Sequence, residues 1–137
     1  KDFKNIQNGA YIIKKEDEKS DIDLILMATG SEVSICIEAS KKLNEMNVNV
    51  RVVSMPCWEL FEQQRDEYKE SILPNEIKNR ISVEAGTTIG WSQYVGDKGI
   101  TLGINDFGES APGNVIMEKK GFSVENICNA YKKILER

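Results

Sequence analysis

Residues Asp23 to Val33 (DLILMATGSEV) constrain the fold more than any other stretch of this chain. Leu24, Ile25, Leu26, Met27 and Ala28 run without polar alternation, which suits a central parallel strand covered on both faces. A strand with one wet face would alternate. Thr29, Gly30 and Ser31 then supply side-chain oxygens and a permissive backbone, and Thr29 with Glu32 fits a reciprocal capping box at a helix start. Val33, Cys36, Ile37, Ser40, Leu43 and Met46 follow at helical spacing, with Glu38, Lys41, Lys42 and Glu45 on the other face. Strand, small polar turn and helix make the opening half of a βαβ unit, and the free N–H groups at such a turn suit an anion.

The rest of the chain repeats the theme. Tyr11, Ile12 and Ile13 read as a short edge strand, and the charged run Lys14 to Asp21 as a solvated loop. Val50, Val52 and Val53 form a second parallel strand, which Ser54-Met55-Pro56 stops because proline removes a ladder donor. Short helices are expected over Cys57 to Gln64, over Asp66 to Leu73 and around Trp91, Tyr94 and Val95. Ile81-Ser82-Val83 and the alternating Ile100, Leu102 and Ile104 give two further strands. A helix is expected from Pro112 and Gly113 to a C′ glycine at Gly121. Ser123 would then cap a last amphipathic helix, stapled by Phe122 and Ile127 and lined by Val124, Ile127, Cys128, Tyr131, Ile134 and Leu135.

Composition narrows the function. With 18 basic against 22 acidic residues and no basic cluster, the chain is a poor match for nucleic acid. No apolar run reaches the roughly 18 to 20 residues of a membrane span, and no signal peptide is apparent. Cys36, Cys57 and Cys128 are odd in number and widely spaced, which points to a reducing, cytoplasmic setting. The chain has no histidine, which removes imidazole acid–base catalysis, Ser-His and Cys-His activation and the usual zinc ligands. A nucleophilic role for Cys57 has no base to support it, so packing accounts for it better. The 137 residues read as a single domain, with residues 1–9 as an interdomain linker and the whole as a piece of something longer.

Four strand exits gather small polar residues: Thr29-Gly30-Ser31, Ser54-Met55-Pro56, Glu84-Ala85-Gly86 and Gly108-Glu109-Ser110. In an open α/β sheet, ligands bind at this edge where the strand order reverses, here between the first and third of these exits. Thr29, Gly30, Ser31, Glu84, Gly86, Gly108, Glu109 and Ser110 are therefore the candidates for an anion site or an interdomain contact. No G-x-G-x-x-G or G-x-x-x-x-G-K-[ST] is present to make it a nucleotide site. Glu84 and Glu109 also allow an acid–base carboxylate pair, against which stands ordinary capping or interdomain hydrogen bonding.

The ordered strings ATGSEV (Ala28 to Val33), RVVSMP (Arg51 to Pro56), ESILP (Glu70 to Pro74), VEAG (Val83 to Gly86) and FGESAP (Phe107 to Pro112) resemble the C-terminal domain of transketolase across nearly the whole chain. The resemblance implies a three-layer α/β/α domain with a five-stranded mixed sheet, four strands parallel and one antiparallel at the edge, in the order 1-3-2-4-5. It implies a parent enzyme of the pentose phosphate pathway, a homodimer. The parent would use thiamine diphosphate and magnesium or calcium to move a two-carbon ketol unit between sugar phosphates. The family's GDG cofactor motif is absent, because Gly96-Asp97 continues with Lys98, and its histidine-lined substrate cleft has no counterpart. No catalytic residue, cofactor ligand or metal ligand carries over, so the expected role is packing against the other domains and dimer assembly. A regulatory anion or nucleotide module, and the equivalent domain of a related thiamine diphosphate enzyme, are the alternatives.

Overall fold

A computed structural model describes residues 6–84, 90–104, 114–117 and 124–137. Six strands, β1 (Tyr11–Lys14), β2 (Leu24–Ala28), β3 (Val50–Ser54), β4 (Arg80–Glu84), β5 (Ile100–Ile104) and β6 (Asn114–Met117), form one sheet in the order β1-β3-β2-β4-β5-β6. Only β1 runs antiparallel, against β3. The expected strands thus take the expected order, with the organising strand β2 between β3 and β4.

All five residues of β2 are fully buried, and they divide by parity. Leu24, Leu26 and Ala28 join a core with helices α1 (Glu32–Glu45) and α5 (Val124–Leu135). Ile25 and Met27 face a second core with α2 (Trp58–Glu62), α3 (Asp66–Ile72) and α4 (Ser92–Val95). Successive side chains on a strand point to opposite faces, so an unbroken apolar run is what two covering layers require. Each such Leu or Ile contributes roughly 1.5–3 kcal/mol by leaving water.

Three expectations are revised. The segment after Gly113, read as a helix, includes strand β6, which pairs in parallel with β5 from Thr101↔Asn114 to Ile104↔Met117. The β-branched pair Val115-Ile116 favours this, and the outer edge of β5 offers unpaired backbone groups that a helix would leave unmet. The remaining parts of that reading, Pro112, Gly113, Gly121, Phe122 and the Ser123 cap, lie outside the described residues. The Thr29–Glu32 capping box does not form either. Gly30 turns the chain at φ +58°, and Ser31, already helical at φ −68°, is the N-cap residue without a side-chain cap bond, so Thr29 stands outside the first turn.

The charged loop is the third revision. Lys15, Glu18 and Lys19 are exposed, but the buried Asn49, just before β3, and Arg51 within it draw the segment inward. Asn49 Nδ2 donates to the carbonyls of Asp17, Ser20 and Asp21 at 2.8–3.0 Å, and its Oδ1 accepts from Asp17 N at 2.8 Å. Arg51 binds Glu16. A buried amide or guanidinium costs stability unless its hydrogen bonds are made, and the loop supplies the partners.

Candidate functional site

Connections from β2 lead first to β3 on one side and then, through α2 and α3, to β4 on the other. The strand order therefore reverses at the C-terminal ends of β2 and β4, where an open α/β sheet leaves a crevice. Thr29 and Glu84 meet there. Thr29 Oγ1 donates to Glu84 Oε2 at 3.3 Å, a loose bond for a hydroxyl, and both residues are half-buried. Gly30 and Ser31 are exposed beside them, and Ser31 Oγ donates to Glu32 Oε2 at 2.6 Å. Four of the eight candidate residues are thereby placed along one edge. Gly86, Gly108, Glu109 and Ser110 lie outside the described residues, and with Glu109 so does the proposed carboxylate pair.

The chemistry of this edge differs from the anion site that its small residues promise. Among the described residues, both nearby hydroxyls are turned to carboxylates, those of Glu84 and Glu32. A phosphate beside these two side chains would meet like charge. Among the described residues, no group of three or more His, Cys, Asp or Glu side chains is placed to hold a metal ion.

Sequence reading passed over Ser82. It is fully buried in β4, in register with Met27 of β2 and Thr101 of β5, on the face that carries the α2–α4 core. Its Oγ has no hydrogen-bond partner among the described residues. A hydroxyl between Ile81 and Val83 in the middle of a central strand was the available signal. Arg51, a charged residue between Val50 and Val52, offered a similar signal, and it is 6% exposed in β3.

A cleft of about 440 Å³ lies at α2, α3 and α4, lined by Glu62, Asp66, Lys69, Glu70, Arg80 and Tyr94 among others. Its polar groups answer one another. Tyr94 Oη donates to Glu62 Oε2 at 2.8 Å, and Lys69 Nζ stands 3.5 Å from Glu62 and 3.8 Å from Asp66. Arg80 donates to the carbonyls of Tyr94 (2.6 Å), Ile77 and Pro74 (2.9 Å each) and Leu73 (3.3 Å). Burial, together with the Glu62 carboxylate, pushes the Tyr94 phenol well above its usual range, and burial lowers the Arg80 guanidinium. This arrangement ties loops and helix ends together. Burial also raises the thiols of Cys36 and Cys128, which leaves them unreactive packing groups.

Residues 9–123 match the profile of the transketolase-like TK C-terminal domain. The chain belongs to that family. It is 45% identical over 129 residues, 94% of its length, to the transketolase of Staphylococcus epidermidis, of which it covers 19%. The structure of transketolase from Leishmania mexicana superposes with a TM-score of 0.80 at 36% identity, over all of this chain and 19% of that one. Transketolase from Pichia stipitis in complex with sedoheptulose 7-phosphate matches with a TM-score of 0.78 at 31% identity, over 99% of this chain and 19% of that one. The chain thus spans about a fifth of the length of the transketolases it matches, enzymes that carry further domains in the same chain. Among the described residues, no helix of this transketolase domain is long and apolar enough to cross a membrane.

Proposed function

We propose that this chain is the C-terminal domain of a transketolase that transfers a two-carbon ketol unit between sugar phosphates with thiamine diphosphate and magnesium or calcium. In this reading the domain contributes no catalytic group and serves interdomain packing and assembly of a cytoplasmic homodimer of the pentose phosphate pathway. The observation that carries it is the full-length superposition on a fifth of a transketolase. The Pichia stipitis relative, bound to a sugar phosphate, supports the substrate class. A chain without histidine has no imidazole base of its own, and among the described residues the crevice presents the carboxylates of Glu84 and Glu32.

The test is direct. The purified chain, shown folded by circular dichroism, is supplied with a ketose phosphate donor, an aldose phosphate acceptor, thiamine diphosphate and magnesium. No ketol transfer is expected; turnover by this chain alone would overturn the assignment of a silent domain. The regulatory anion reading is disfavoured by Glu84 and Glu32 at the crevice. An equivalent domain of a related thiamine diphosphate enzyme is disfavoured by the transketolase matches.

A further inference from the structure

Apolar burial does not hold the loop between β1 and β2. Residues 15–21 (KEDEKSD) contain no apolar side chain, and Glu16 is the one of the seven that is not exposed. The residues that flank the loop are anchored in opposite cores, Ile13 on the α1–α5 side and Ile22 on the α2–α4 side. Between these anchors the loop closes through two attachments. Glu16 takes both arms of the Arg51 fork, at 2.8 and 2.9 Å, and the Asn49 side chain bonds the backbone of Asp17, Ser20 and Asp21. Ordering seven residues costs backbone entropy, which hydrogen bonds and one enclosed ion pair must offset. A segment with so few apolar contacts opens at lower free energy than the cores beneath it.

The groups that such opening would leave behind are bonded elsewhere as well. Arg51 Nη1 donates to the Ser71 and Ile72 carbonyls. Asp23 N–H donates to Asn49 O, and Asn49 N–H to Asp23 Oδ2, both at 2.8 Å. Lifting the loop therefore leaves β3, the end of α3 and the start of β2 joined. We propose that residues 15–21 form a strap that lifts as one unit from the folded chain, with Glu16 on Arg51 as its latch. The latch responds to pH. Arg51 holds the Glu16 carboxyl below its ordinary value while the strap is closed, so protonation favours the open form. The charges that act on Glu16 are Arg51 from β3 and Lys15 beside it, and Lys14 ends β1 one residue earlier. On the strap itself Lys15 pairs with Glu18 at 3.5 Å, and Asp17 accepts from Lys19 N–H. From α3, Glu70 is turned to the Asn75 amide. Each of these carboxylates is thus engaged away from the guanidinium.

The experiment is native-state hydrogen exchange of the 137-residue chain at low urea concentrations, followed by NMR, with Glu16→Gln and Glu18→Gln as variants. The probes are the Asp17 amide and the Asn49 side-chain amide, which bond each other's residues across the closure, compared with the amides of β2 and β3. The two strap probes are expected to share one opening constant, about tenfold or more above that of the strands and with a weaker urea dependence. That constant should rise as pH falls from about 5 to about 3. Glu16→Gln should raise it about tenfold at neutral pH and flatten the rise, while Glu18→Gln leaves it unchanged. Strap probes that exchange together with the strands would overturn the proposal, as would two probes with different opening constants. So would an opening constant that Glu16→Gln leaves unchanged, or one that Glu18→Gln raises as much.

Discussion

Arg51 grips Glu16 through two hydrogen bonds, Nε to Oε1 at 2.8 Å and Nη2 to Oε2 at 2.9 Å, with the two side chains only 8% and 10% exposed. The same guanidinium donates from Nη1 to the carbonyls of Ser71 and Ile72, at 2.8 and 3.0 Å, at the end of α3. One side chain thereby joins a central strand, a helix C-terminus and the loop before β2. The fork geometry makes this possible, because a lysine in the same place could not hold a carboxylate by two parallel bonds and cap a helix as well.

Arg51→Met is expected to destabilise the chain by about 3 kcal/mol, since it leaves an enclosed carboxylate and two helix-end carbonyls without their donor. Adding Glu16→Leu should recover part of that loss by removing the stranded charge. Urea unfolding measures both. A double variant as unstable as Arg51→Met alone would place the cost on the Ser71 and Ile72 carbonyls instead.

The hydrogen bond from Arg51 holds the Glu16 carboxyl below its ordinary value, against the opposing effect of burial. A carboxyl depressed in the folded state binds its proton more readily when unfolded. Its contribution to stability is therefore complete above the unfolded value near 4.3 and is lost as pH falls through the lower folded value. Unfolding midpoints of the parent should drop more steeply between about pH 5 and pH 3 than those of Glu16→Gln. Parallel slopes would show that other carboxylates govern the acid limb.

Gly9 and Gly30 both have positive φ, at +87° and +58°, yet their surroundings differ. A Cβ on Gly9 would lie 2.3 Å from the Cys57 carbonyl oxygen and 2.4 Å from Phe61 N, whereas one on Gly30 meets nothing within 4 Å. Gly9→Ala should cost about 3 kcal/mol or more by displacing the start of α2, and Gly30→Ala about 1 kcal/mol from backbone strain alone. Thermal unfolding of the two variants gives the comparison. Equal losses would mean that the Cys57–Phe61 backbone yields to the added methyl.

Ser82→Ala should leave the isolated chain as stable as the parent or more so, by up to about 1 kcal/mol, because it removes a buried hydroxyl that makes no bond among the described residues. Denaturant unfolding decides it. A loss above 1 kcal/mol would show that the hydroxyl has a partner in solution.

How much was legible follows from where each signal resides. The unbroken run from Leu24 to Ala28, the 3.6-residue spacing from Val33 to Leu43 and the valines of β3 are local patterns, and the two covered faces of the sheet follow from them. The order of five strands and the family came from short strings in register, which the matched residues and superpositions support. The segment at β6 misled because four residues of strand carry too short a period to outweigh the glycines that seemed to bound a helix.

Side-chain pairing was the part that no local pattern contained. Thr29 and Glu84 are 55 residues apart, and Arg51 lies 35 residues from Glu16. Sequence could nominate Thr29 as a cap or an anion donor, since both roles use neighbours along the chain. Only the crossing of the chain from β3 past β2 to β4 put a carboxylate beside that hydroxyl. By itself the sequence determined the layers, the strands other than β6 and the family, because backbone periodicity and apolar burial act over a few residues. The tertiary structure decided which polar groups meet, because Coulomb and hydrogen-bond energies depend on distance in space and not on separation along the chain.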